Sequence, residues 1–458
     1  MSERSVKRGR RAVDMTEGLI WKQLLLFFLP ILLGTFFQQL YNTVDAIIVG
    51  RGVGKEALAA VGGSASQLLN LLVGFFTGLA SGATIIISHA FGARREEDAS
   101  LAVHTAMAMA LVFGAALSLV GWLLTPRLLT WMDTPADVLP DAIRYLRICF
   151  VGMTASLVYN VGSGILRAVG DSRRPLYFLI IASLFNTVMD CLLVLVFRLG
   201  VTGAALATVL SQLLSAAMVC AVLGRSRDAC RLSLKRLRIH GGSLRRIVRI
   251  GLPAGLQSVL FSVSNIIIQT AINGLGTDPA AGWTAATKMD NVYWMIINAF
   301  GIAVTTFVGQ NYGAGKLDRM KSGVRQALAI GFGMTAVLCV LLLSFGRPLL
   351  TIFTSDEGVL EQGWQVMSFL VPTYLTYVCV EIIPGAMRGA GDSITPTIMT
   401  LVGCCLLRIL WIAAYVPAHH TLQAVLACYP VSWIPTSVAF IISYRSGNWL
   451  KRAGRLTR

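Results

Sequence analysis

Long apolar runs alternate with short polar connectors along the whole chain. The runs fall at about 24–49, 57–88, 101–124, 142–166, 176–197, 201–223, 247–274, 281–309, 324–345, 362–386, 395–416 and 421–444. Most reach the ~20 residues that a helix needs to cross the hydrocarbon core of a bilayer. Strands of a membrane β-barrel would be shorter and would alternate polar with apolar positions. The pattern predicts an all-α membrane protein with twelve transmembrane helices.

The pattern repeats. The connector after the fourth run reads Arg167-Ala-Val-Gly-Asp-Ser-Arg-Arg-Pro175, and that after the tenth reads Arg388-Gly-Ala-Gly-Asp-Ser-Ile-Thr-Pro396. The offset that carries Arg167 onto Arg388 also carries Gly92-Ala93 onto Gly313-Ala314, and Leu128-Leu129 onto Leu349-Leu350. Pro30 in the first run answers Pro253 in the seventh. Several matches in one register indicate an internal duplication. With six spans each, the halves share one orientation, related by an axis along the membrane normal. The expected organisation is an N-terminal six-helix bundle over 1–223, a basic linker over 224–246 and a C-terminal six-helix bundle over 247–458.

Composition supports this. Of the 458 residues, 55% are hydrophobic and 13% charged, against about 25% charged in soluble domains. The net charge of +17 sits in connectors and at the ends. A nucleic-acid binder would gather its basic residues on one folded face, so nucleic acid is not expected as a partner. Thirty of the 39 Lys and Arg residues fall on the side of the termini, eight on the other, and Arg408 lies inside a span. By the positive-inside rule both termini are expected in the cytoplasm, on a multi-pass protein of the cell inner membrane. The basic start, Met1 to Arg11, precedes no cleavage site and the first run is read as a retained helix. The nine cysteines form no CxxC pair and are read as reduced packing residues.

Most acidic residues lie in connectors or at span ends, Asp133, Asp171, Asp228 and Asp392 among them. Asp45, Asp190 and Glu381 lie well inside apolar runs. An intramembrane carboxylate costs ~2.5 kcal/mol or more to insert, so it normally faces a cavity or partner and marks an ion path. Burial disfavours its charged form, which suits it to taking up and releasing a cation. The structural alternative is a fixed ion pair, for example Glu381 with Arg408. Asn186 lies one turn before Asp190 on the same helix face, and Thr208 offers a hydroxyl from the next span. Asp45 ends a polar stretch containing Gln38, Tyr41 and Asn42, which cannot face lipid cheaply. These three, with Asn160, Glu381 and Arg408, are candidates for a substrate cavity. In the register of the duplication, Trp411 replaces Asp190 and Arg408 replaces Thr187. The coupling site is therefore expected in the first bundle alone, with the second supplying packing and cavity wall.

Pro30 and Pro253 each remove a helical hydrogen bond and are candidate hinges. Gly74, Gly78 and Gly82 are spaced for close helix packing. The stretch Gly50 to Glu56 lacks the residues of a phosphate loop. His89, His104, His240, His419 and His420 lack metal-ligand companions at helical spacing. Trp122, Trp131, Trp283 and Trp449, near span ends, read as interfacial anchors.

These residues resemble the multidrug and toxic compound extrusion (MATE) family, in its prokaryotic DinF and MepA-like branch. The marks are Val44-Asp45 with Val49-Gly50 and Leu58-Ala59-Ala60-Val61-Gly62, then Phe91-Gly92-Ala93, Gly309-Gln310-Asn311-Tyr312-Gly313-Ala314, the doubled Arg-x-x-Gly-Asp-Ser corner, and Asn186-x-x-x-Asp190. The resemblance implies two six-helix bundles in a V and export of amphipathic, often cationic compounds in exchange for Na⁺ or H⁺. It implies a first-bundle cation site at Asp45, Asn186, Asp190 and Thr208, which could hold Na⁺, and bending of the first helix at Pro30. Cys191 stands where the family often has Pro, and the second-bundle acids of the Na⁺-coupled branch are absent. The expected function is secondary active efflux by a monomer without cofactor, coupled to H⁺ or Na⁺, with no enzymatic activity. A flippase for lipid-linked precursors or polysaccharides is the alternative; it would need a strongly cationic cavity.

Overall fold

The computed structural model describes residues 14–132, 134–226 and 230–456. The basic start Met1 to Arg11, Asp133, Asp228 and part of the linker lie outside them. Among the described residues, twelve helices are long and apolar enough to span a membrane: α1 Ile20–Gly52, α2 Glu56–Gly92, α3 Glu96–Trp131, α4 Leu139–Ala168, α5 Arg173–Val196, α6 Gly200–Arg225, α7 Gly241–Asn273, α8 Thr277–Gly313, α9 Leu317–Leu350, α10 Glu357–Ala390, α11 Ile394–Ala414 and α12 Leu422–Ser446. A short helix, α13 Asn448–Leu456, follows. No strand occurs among the described residues. The spans outrun their apolar runs because polar first and last turns still pair their backbone groups while standing in the head-group layer. Thus α7 begins at Gly241 rather than at 247 and carries Arg245 and Arg246 in its opening turns.

The helices turn large side chains such as Leu119, Val151, Leu184 and Ile442 outward, as lipid contact requires. Trp131 is 79% exposed and Trp122 41%, in keeping with anchors. Trp283 and Trp449 are not anchors of that kind. Trp283 is buried and donates to Gln269 Oε1 at 2.9 Å, and Trp449 is buried beneath Tyr444, its ring 5.2 Å away. Neighbouring helices, not lipid, take up these two indole rings near span ends. Cys149, Cys191, Cys220, Cys339, Cys379, Cys404, Cys405 and Cys428 are free thiols. His104 is structural: its ring meets the Ser100 carbonyl at 2.7 Å, and Nε2 accepts from the Ser233 amide at 3.1 Å, holding the linker against α3.

The halves exchange their first helices at one end. Leu24, Phe27, Phe28 and Ile31 of α1 pack in the core of the second half, with the Phe28 ring 5.4 Å from that of Phe300. Reciprocally, Ile247 and Ile250 of α7 join a core of the first half. The crossing is made by glycines. A Cβ on Gly78 would lie 2.5 Å from the Gly255 nitrogen, and one on Gly74 would meet the Ser258 hydroxyl. The Gly74, Gly78 and Gly82 row therefore packs on α7, the first helix of the other half.

The face where α1 begins and α12 ends, here the terminal face, is shut by a symmetric pair of contacts. His89 of α2 donates from Nε2 to the Gly389 carbonyl of α10 at 2.7 Å. Gln310 of α8 donates to the Ala168 carbonyl of α4 at 2.8 Å. The two donors are equivalent positions of the duplication, and so are the two acceptors. Gly92 lies against the backbone of Gln310 and Gly313 against that of His89, and neither leaves room for a side chain. The segment before α1 straps across this latch. The Met15 amide donates to Gln310 Oε1 at 3.2 Å, Asn311 donates to the Met15 carbonyl at 3.0 Å, and Arg319 donates to the carbonyls of Glu17 and Gly18, each at 2.8 Å.

Candidate functional site

A cavity of about 580 Å³ opens within the first half. The polar stretch of α1 turns inward and lines it with Gln38, Tyr41, Asn42 and Asp45. Facing helices add Asn70 from α2, Tyr159, Asn160 and Arg167 from α4, Asn186 from α5 and Gln212 from α6. Pro30 also lies in the wall, whereas Pro253 does not. From the second half only Ile302 reaches it among the described residues, so the cavity is less shared than the sequence suggests.

Asp45 and Asp190 lie close enough for their carboxyl groups to influence each other electrostatically. Asp45 is half-buried, whereas Asp190 and Asn186 are 0% and 1% exposed. Asp190 lies behind Asp45, on the last α-helical turn of α5. The helix then widens into a π turn over Cys191–Val196, a form that tends to accompany functional positions. Both Asp190 oxygens, Asp45 Oδ1, both polar atoms of the Asn186 amide and Ser183 Oγ lack a hydrogen-bond partner. Buried polar atoms are normally paired, and here six unpaired ones gather on two helices. Among the described residues, no Lys or Arg lies within ion-pair distance of either carboxyl. The donor set is hard oxygen, which fits a proton or a small hard cation such as Na⁺. Thr208 stands on α6 outside the cavity wall, which α6 enters through Ser211, Gln212 and Ser215.

Glu381 and Arg408 stand apart from the cavity and from each other. Glu381 rests on Gly301 of α8, where any side chain would strike its carboxylate, and it feels the charge of Arg388 rather than Arg408. Arg408 is 2% exposed, donates from Nε to Ser432 Oγ at 3.2 Å and lies 4.6 Å over the Tyr429 ring. Its nearest neighbours are the ring faces of Tyr429 and Trp433, and its charge also reaches the Asp290 carboxylate without forming an ion pair among the described residues.

Sequence reading missed Asp290. On α8 it accepts hydrogen bonds from the Trp294 indole at 2.7 Å and from the Tyr374 hydroxyl. It sits nine residues inside an apolar run, deeper than Asp45 or Asp190 in theirs, so the criterion that singles out those two applies to it as well. Around it the second half is filled. Where the first half has Val73, Ser156, Thr208 and Gln212, the second half has Trp294, Tyr377, Tyr429 and Trp433 in the register of the duplication. These rings touch: Trp294 to Tyr377 at 4.8 Å, and Tyr377 and Tyr429 each to Trp433 at 5.1 Å. The volume that is a cavity in one half is an aromatic core in the other.

Two duplicated six-helix halves, closed at one face around an intramembrane polar cavity, define a membrane transporter. The MatE family model matches the chain twice, over residues 30–192 and 253–413. The chain belongs to the MatE family, whose members are non-enzymatic transporters. It is 28% identical over 443 residues to the "Probable multidrug resistance protein YoeA" of Bacillus subtilis, covering 94% of this chain and 95% of that one. It is 25% identical over 349 residues to a "FAD transporter" of Shewanella oneidensis, covering 75% and 76%. Its fold matches a solved structure described as the outward-facing conformation of a multidrug resistance MATE family transporter, with a TM-score of 0.88 at 22% identity, over 99% of this chain and all of that one.

Proposed function

We propose that this protein exports amphipathic, cationic compounds by antiport with H⁺ or Na⁺. The observation that carries the reading is the closeness of the buried Asp190 to Asp45 in the cavity wall, without an ion-paired Lys or Arg among the described residues. Two neighbouring carboxyls, one of them fully buried, are poorly accommodated when both are ionised, so a proton or metal cation joins them. That cation is cargo: it enters when the cavity is open to one side of the membrane and leaves when it opens to the other. Asp45, Asp190 and Asn186 would hold a Na⁺, with the Thr208 hydroxyl a further oxygen from the next helix. A lone proton would need only the two carboxyls.

The rest of the wall suits an amphipathic guest. Tyr41 and Tyr159 offer ring surface, and Gln38, Asn42, Asn70 and Gln212 offer adaptable hydrogen bonds. Asp45 is the carboxylate that an organic cation would meet, so guest and coupling ion compete for one charge. Such competition gives exchange, because whichever binds displaces the other. A flippase for pyrophosphate-linked precursors would need several cations in the wall, and Arg167 is the one present among the described residues. The terminal face, rich in Lys and Arg, is read as cytoplasmic. The protein acts as a monomer without cofactor in the inner membrane. The name printed for the Bacillus subtilis relative agrees with multidrug export.

The test is dye efflux from proteoliposomes under an imposed pH gradient, and separately under an imposed Na⁺ gradient. One gradient should drive efflux, and Asp190→Asn should abolish the driven component. Full gradient-driven efflux by Asp190→Asn would remove the carboxyl pair from the mechanism.

A further inference from the structure

The duplicated corner carries an arginine in each half, and the two are not in the same electrostatic setting. In the second half Glu381 precedes Arg388 by seven residues, two turns along the same face of α10, and its carboxylate feels the charge of that guanidinium without a direct ion pair among the described residues. In the first half Asn160 occupies the position equivalent to Glu381. Its amide is turned to the Ser156 carbonyl at 2.9 Å. The nearby corner acid, Asp171, is bound to Arg174 at 3.2 Å. Among the described residues Arg167 is thus left without an ion pair. Its electrostatic neighbour there is Tyr159, and it is partly exposed in the cavity wall.

Position adds to this. Arg167 is the penultimate residue of α4, at the terminal face, one residue before the carbonyl of Ala168 that Gln310 holds in the latch. Asp45 lies seven residues, about 10 Å, from the opposite end of α1. The cavity therefore has an anionic end and a cationic end, and the cationic end is the one next to the latch. An unpaired guanidinium at a water-accessible, low-dielectric floor is suited to a planar oxyanion, which it can bind with two parallel hydrogen bonds. Ser163 and Ser172 line the cavity as well and offer hydroxyls.

Taking the cavity as the substrate path, as above, we propose that Arg167 is an oxyanion subsite at the foot of the cavity. It selects amphiphilic substrates that carry a carboxylate beside their cationic group. Asn160 permits this by being neutral where its counterpart is an acid.

The test uses the full chain in nanodiscs and a matched pair of probes: a cationic rhodamine methyl ester and the zwitterionic free acid of the same dye. Fluorescence anisotropy gives a dissociation constant for each. Arg167→Gln should raise the acid-to-ester ratio of these constants about tenfold. Arg167→Lys should stay within about threefold of wild type. Asn160→Glu, which restores the arrangement of the second half, should reproduce the Arg167→Gln ratio and carries the test alone if Arg167→Gln fails to fold. Arg388→Gln should leave the ratio unchanged. If wild type binds both dyes and neither Arg167→Gln nor Asn160→Glu alters the ratio, the subsite is overturned and the efflux reading stands. If wild type binds neither dye, the cavity is not the substrate path and both fall.

Discussion

His89 and Gln310 occupy equivalent positions of the duplicated fold, and each reaches across to the other half. The carbonyls they hold, Gly389 and Ala168, are equivalent too. The latch on the terminal face is therefore two copies of one contact. Of the two donors, Gln310 is the one tied to the strap, through Met15.

That asymmetry orders the effects of mutation. One hydrogen bond is worth about 0.5–1.5 kcal/mol, so His89→Ala should shift the closed state by a few-fold toward opening. Gln310→Ala loses two partners and should shift it further. Amide hydrogen exchange over residues 89–93 and 310–315 reads both, and equal protection in the two variants and wild type would contradict the latch.

The crossing of α2 and α7 tolerates no side chain. Gly78→Ala drives a methyl into the backbone of Gly255 and should cost about 1–3 kcal/mol, lowering the melting temperature of the detergent-solubilised protein. Gly333→Ala, in mid-α9 with open space around it, should leave that temperature unchanged or raise it slightly.

Arg408 is a packing residue. Arg408→Ala should destabilise by roughly 2–4 kcal/mol, through an emptied volume and lost contact with Tyr429. Arg408→Met, which refills most of the volume, should recover about half. Gradient-driven efflux per folded molecule should persist in Arg408→Met, and loss of ion coupling there would place Arg408 in the mechanism instead.

The strap depends on Arg319, which reaches Glu17, Gly18 and Gln23. Arg319→Ala should speed amide exchange at residues 14–19 at least tenfold, with little change in global stability because these contacts are partly exposed.

The order in which residues become legible follows their physics. Asp45, Asn186 and Asp190 stand out because charge in an apolar run is expensive, and a one-turn spacing places Asn186 and Asp190 on one face without any tertiary information. Glu381 meets the same criterion, yet the structure packs it on Gly301 beside Arg388. His89 has no metal-ligand companions in the sequence, and its partner is a backbone carbonyl in the other half of the chain, which no side-chain pattern announces. Asp290 meets that criterion too, but its role is set by partners on helices α8 and α10 that only folding brings together.

By itself, the sequence determined the number of spans, the duplication and the corner motifs, because lipid enforces helix length and repeats preserve register. Only the tertiary structure decided which half is hollow. Similar backbones can enclose a cavity or an aromatic core, depending on whether the side chains at four positions on three helices are small or are large and flat. That outcome is a sum of volumes over residues far apart in the chain, and it leaves no periodic trace along it.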